Sequence, residues 1–123
     1  MKLRIKGNSI RLRLNRSEIT KFGEQGFIEE MTVFPGGGKF EYAIERKQGI
    51  SGLEAGFSGN RITVFVPDSM VDEWVGTEIV GFDTKAEPGH AGDLFLLIEK
   101  DWVCLDNSFE DQSDNFPNPN TVC

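Results

Sequence analysis

Ile10-Arg11-Leu12-Arg13-Leu14 runs into Asn15-Arg16-Ser17-Glu18-Ile19-Thr20-Lys21-Phe22, and 52 positions later Ile62-Thr63-Val64-Phe65-Val66 runs into Pro67-Asp68-Ser69-Met70-Val71-Asp72-Glu73-Trp74. In both stretches apolar residues first recur at every second position, the period of a strand with one buried face. They then recur three or four apart, the period of a helix face. Ser17 offers an N-cap for the first helix, and Gly23 and Gly26 offer its end. Pro67-Asp68-Ser69 opens the second helix, because proline is tolerated at a helix start.

Upstream, Leu3 and Ile5 alternate with Lys2, Arg4 and Lys6, and Gly7-Asn8 is turn chemistry, which predicts a hairpin with the strand at 10–14. Downstream of the first helix, 27–34 and 39–46 are strand-like and joined by Pro35-Gly36-Gly37-Gly38, a second hairpin signal. Leu53 to Phe57 reads as a weaker strand before Gly59-Asn60, and two more strands are expected near 78–84 and 93–101.

The shift of 52 sets Ser17 on Ser69, Ile19 on Val71, Phe22 on Trp74 and Ile28 on Val80. A shift of 54 then sets Phe40-Glu41-Tyr42-Ala43-Ile44-Glu45 on Leu94-Phe95-Leu96-Leu97-Ile98-Glu99. The expectation is a single α+β domain with a mostly antiparallel sheet and two short helices. It would be built from two β-α-β-β halves, 1–52 and 53–103, followed by a tail, 104–123. The two helices should then cover one face of a shared sheet about a pseudo-twofold axis, with Phe22 and Trp74 as equivalent core anchors.

The chain has 123 residues, 38% of them hydrophobic, with ten Phe; that is enough apolar material for a packed core without a metal or disulfide scaffold. The basic and hydrophobic residues of the N-terminus alternate, unlike a secretory signal, and no run approaches a membrane span. A cytoplasmic location with Cys104 and Cys123 as reduced thiols is the matching expectation. The formal net charge of -7 argues against nucleic acid as a partner. Charge is unevenly placed: Lys2, Arg4, Lys6, Arg11, Arg13 and Arg16 open the chain with no acidic residue among them, whereas Glu99 to the end holds six acidic residues and one Lys.

Chemistry-bearing residues are sparse. His90 lies in a glycine-flanked loop, and with Cys104 and Cys123 it forms the only nitrogen and sulfur set for a nucleophilic dyad or a zinc ion. The two cysteines are nineteen positions apart and neither belongs to a CxxC pair, so paired ligand spacing is missing. Asp106-x-Ser108-x-Glu110 and Asp111-x-Ser113-x-Asn115 alternate oxygen ligands. Both fail the EF-hand pattern, which needs Gly at the sixth loop position and Glu at the twelfth. No cofactor is assigned by any of these patterns.

The opening Lys2-Leu3-Arg4-Ile5-Lys6-Gly7-Asn8-Ser9-Ile10-Arg11-Leu12-Arg13-Leu14 and the closing Glu110-Asp111-Gln112-Ser113-Asp114-Asn115-Phe116-Pro117-Asn118-Pro119 resemble a family of small bacterial proteins classed as a domain of unknown function. The resemblance spans essentially the whole chain. It implies that the tail belongs to the domain, and it brings no activity with it.

The reading that follows is a non-catalytic binding or interaction module. Its site would be the junction of the basic hairpin (Arg4, Arg11, Arg13) with acidic residues of the tail (Glu110, Asp111, Asp114), and its partner a small anionic ligand or a protein. Leu105, Phe109 and Phe116 would anchor the tail. The alternative is a small metal-dependent or cysteine hydrolase using Cys104, Asp111, Asp114 or His90.

Overall fold

The computed structural model describes residues 1–84, 94–101 and 116. Alternation in the first segment builds β1 (Lys2–Lys6) and β2 (Ser9–Leu14), an antiparallel hairpin in which Leu3 faces Leu12 and Ile5 faces Ile10. The chain then enters α1 (Arg16–Gln25). Its N-cap is Asn15, two residues before the expected Ser17. The Asn15 side chain accepts from the Glu18 amide while the Glu18 side chain accepts from the Asn15 amide, a reciprocal box that satisfies two otherwise orphaned donors. The helix passes through Gly23 and stops at Gly26, whose φ of 70° is the left-handed conformation that glycine adopts without penalty.

β3 (Phe27–Val33) and β4 (Lys39–Lys47) form the glycine-turned hairpin, and β5 (Glu54–Ser58) pairs antiparallel with β6 (Arg61–Pro67) across Gly59-Asn60. Pro67 precedes α2 (Asp68–Gly76), after which β7 (Gly81–Asp83) pairs with β8 (Phe95–Lys100). The fold is α+β with mostly antiparallel pairing, as the sequence predicts.

Where the sequence suggests one shared sheet, there are two sheets of four strands, ordered β1-β2-β8-β7 and β5-β6-β4-β3. Each takes one hairpin from the first half of the chain and one from the second. The hairpins join through a central parallel pair, β2 with β8 and β4 with β6. Alternation alone cannot separate these outcomes, because it fixes which face is buried and not which strand lies alongside.

The two sheets carry the same register. Ile10 and Leu12 pair with Leu96 and Ile98 in one, and Ile62 and Val64 pair with Tyr42 and Ile44 in the other. Adding 52 to the β2 numbers and subtracting 54 from the β8 numbers converts the first set into the second. Backbone bonds follow the same rule: the Phe95 amide donates to the Asn8 carbonyl as Glu41 does to Asn60, and Lys100 donates to Val80 as Arg46 does to Gly26. One expected correspondence changes. Ile28 pairs with Ile44 as Phe82 pairs with Ile98, so the counterpart of Ile28 is Phe82 and not Val80. The shift changes from 52 to 54 because the connection from α2 to β7 is longer than that from α1 to β3.

Leu12, Leu14, Leu96 and Ile98 from one sheet, Ile28, Ile44, Ile62, Val64 and Val66 from the other, and Ile19, Phe22, Val71 and Trp74 from the helices form one buried core. Burial of a side chain of this size contributes about 1.5 to 3 kcal/mol. The helices meet each other through counterparts. The Phe22 and Trp74 rings touch, and a Cβ on Gly23 would lie 2.7 Å from a methyl of Val75, which is residue 23 shifted by 52. Phe116, expected as a tail anchor, is 96% exposed; Leu105 and Phe109 lie outside the described residues.

Candidate functional site

The expected site divides between described and undescribed residues. Arg4, Arg11 and Arg13 are described; Glu110, Asp111 and Asp114 are not, nor are His90, Cys104 and Cys123. Register puts Arg4 opposite Arg11 and Lys2 opposite Arg13, so one side of the β1-β2 ribbon is basic, with Lys6 at its end. The adjoining strand β8 brings acid to it. Glu99 lies beside Arg13 in the parallel register, is 1% exposed, and accepts from Arg13 Nε at 2.5 Å, with Arg11 Nε 3.6 Å from the same oxygen. Lys2 Nζ lies 2.7 Å from Asp101. Two of the six acidic residues counted from Glu99 onward therefore meet the basic ribbon through sheet pairing. A carboxylate this buried requires a cation beside it.

Met1 and Tyr42 form a second polar group. The Met1 amino group contacts Glu18 and lies 3.1 Å from Glu30, and the Tyr42 hydroxyl donates to the Met1 carbonyl at 3.3 Å. Burial is the largest influence on the amine and pushes its pKa down, but the bonds and charges of Glu18 and Glu30 outweigh it and the net shift is upward. Burial also raises the Tyr42 phenol, and Glu30 raises it further. On the second sheet Arg61 is held by Glu29 at 2.7 Å and Glu41 at 3.2 Å; the bond to Glu29 is the main reason its pKa is raised.

Two cavities lie at opposite ends of the strands that the sheets exchange. At the β1-β2 and β5-β6 turns, a cavity of about 390 Å³ opens between the sheets, lined by Ile5, Ile10, Phe40, Ala55, Gly56, Phe57, Ile62 and Leu94. Six of these are three counterpart pairs: Ile5 with Phe57, Ile10 with Ile62, and Phe40 with Leu94. Ile5 is 53% exposed and Phe57 70%, so the apolar lining continues onto the surface. In the sequence Ile5 and Phe57 are indistinguishable from ordinary strand residues. The available signal was their matched position, each two residues before a Gly-Asn turn under the same 52-residue shift.

At the other end, where β2 leads into α1, a cavity of about 550 Å³ is lined by Leu14, Asn15, Arg16, Ile19 and Thr20 together with Val75, Thr77, Glu78, Lys100 and Asp101. In the other half the matching residues pair with one another. There Arg46 Nε donates to Asp68 at 2.5 Å and Arg46 Nη2 to Asp72 at 2.7 Å, and these bonds, that to Asp68 foremost, raise the Arg46 pKa.

Among the described residues no group of three His, Cys, Asp or Glu side chains could hold a metal ion, and no helix is long and apolar enough to cross a membrane. Residues 1–120 match the family of unknown function DUF7009, and the chain belongs to that family. No curated protein and no solved structure matches the chain.

Proposed function

We propose that the chain is a non-catalytic binding domain whose principal site is the apolar mouth between the two sheets. The observation that carries this reading is the 390 Å³ cavity whose lining runs out to the exposed Ile5 and Phe57. The fold gains nothing in stability from holding a phenylalanine and an isoleucine exposed at an opening, whereas a ligand that covers them gains about 25 cal/mol for each Å² of apolar surface removed from water. The volume lies at the low end of the roughly 300–1,000 Å³ typical of small-molecule pockets, which fits a compact apolar group.

The reading of the chain as two copies of one β-α-β-β unit, 1–52 and 53–103, is part of this proposal. It is supported by the register rule and by the counterpart pairs around the mouth, which give the site two similar walls. A neutral apolar dye such as N-phenyl-1-naphthylamine tests the site: its fluorescence should rise on native protein and fall back with Phe57→Ser. Equal fluorescence with both proteins, at equal stability, would remove the mouth as the site.

A further inference from the structure

The two ends of the helix layer differ in a way that assigns a second ligand. The clamp in one half uses Arg46, Asp68 and Asp72. Applying the register shifts, 46 becomes Lys100, 68 becomes Arg16 and 72 becomes Thr20. The shift across the helices is anchored at their start, since α1 begins at Arg16 and α2 at Asp68. All three counterparts line the open 550 Å³ cavity. In one half, then, a strand-end cation meets two carboxylates carried by a helix. In the other, the strand-end cation remains, one carboxylate has become a second cation, the other has become a hydroxyl, and the space is open.

We propose that this cavity binds a small organic carboxylate, which supplies to Lys100 and Arg16 what Asp68 and Asp72 supply to Arg46. The helix start needs no anion of its own, because the Asn15 and Glu18 box already caps it; the recognition rests on the two side-chain cations, since the Thr20 hydroxyl already donates to the Arg16 carbonyl at 3.2 Å and contributes only its place on the cavity wall. Lys100 Nζ is placed by a bond to the Thr77 carbonyl at 2.7 Å, and among the described residues no acidic side chain pairs with Arg16. Two acids also line the cavity. Asp101 is engaged by Lys2, which leaves Glu78 to oppose Arg16 and Lys100. That balance admits a compact carboxylate and disfavours a polyphosphate, whose several charges two cations and one opposing carboxylate cannot offset.

Acetate and succinate are the probes, titrated into the full chain at constant ionic strength and followed by amide chemical shifts. Saturable shifts are expected at Arg16, Thr20, Thr77 and Lys100. Arg16→Gln should weaken them by about tenfold, the equivalent of one charge-assisted hydrogen bond. The double variant Arg16→Asp with Thr20→Asp places two carboxylates opposite Lys100, as in the clamped half, and should abolish the response while raising Tm. Non-saturating shifts, shifts spread over Lys2 and Lys6, an equal response to inorganic phosphate, or undiminished succinate binding by the folded double variant would each overturn the assignment. The inference shares with the proposed function the matching of the two halves, but its site lies at the opposite end of the strands from the apolar mouth, so failure of one binding test is distinguishable from failure of the other.

Discussion

Phe22 and Trp74 meet edge to face, with ring centroids 6.2 Å apart and planes inclined by 75°. Both are fully buried, and each holds in its own helix the position that the other holds in the partner helix. Trp74 also donates its indole N–H to the Val80 carbonyl at 2.9 Å, tying α2 to the connection that leads into β7. Trp74→Ala should cost about 3 to 5 kcal/mol from the cavity it leaves. Trp74→Phe keeps the ring contact and loses the bond, and should cost less. Urea unfolding followed by circular dichroism measures both; an unchanged midpoint for Trp74→Ala would contradict the packing described.

Gly23 allows the two helices their close approach, since an added Cβ would lie 2.7 Å from Val75 Cγ1. Alanine is favoured over glycine in a helix by about 1 kcal/mol, but overpacking against a stiff β-branched neighbour costs about 1 to 3 kcal/mol. Gly23→Ala should therefore destabilise the wild-type background and stabilise a Val75→Ala background. The same sign in both backgrounds would show that the two residues do not limit the helix spacing.

Glu99 is buried beside Arg13 and Arg11, so removing a cation leaves a carboxylate without full compensation. Arg13→Met should cost about 3 to 5 kcal/mol, and pairing it with Glu99→Met should recover most of that loss. Additive losses in the double-mutant cycle would mean that the two side chains do not interact.

Tyr42 is the sole tyrosine, so tyrosinate absorbance reports it alone. Burial and Glu30 raise its pKa above the model-peptide value of 10.0, so the folded protein holds the phenolic proton more tightly than the unfolded chain. The associated stability is fully present below pH 10 and is lost as pH rises through the folded pKa. The absorbance midpoint in folded protein should lie above that of the urea-unfolded chain, and Glu30→Gln should lower it. Coincident midpoints for folded and unfolded protein would refute the environment assigned to Tyr42.

Nearly every element was legible in the sequence, because alternation at Ile10-Leu12-Leu14 and Ile62-Val64-Val66 and the Gly-Asn and Pro-Gly turns act locally. The helix anchors Phe22 and Trp74 were legible from their spacing. The exchange of hairpins between two sheets was not, since pairing β2 with β8 joins residues more than 80 positions apart and leaves no local trace. The candidate site was only partly legible. The basic ribbon follows from periodicity, but its acid partners come from sheet register, which brings Glu99 to Arg13. The apolar mouth and the open cavity at Arg16 and Lys100 emerge only when the halves are compared in three dimensions, because each depends on what a counterpart residue lacks or exposes.

The claim that the apolar mouth binds ligand is tested most directly by a methyl-resolved NMR titration of the full chain with a small apolar probe such as indole. Saturable shifts confined to the methyls of Ile5, Ile10, Ile62 and Leu94, lost with Phe57→Ser, are the predicted result. No shifts at those methyls, or shifts centred instead on Ile44 and Ile98 in the closed core, would contradict it.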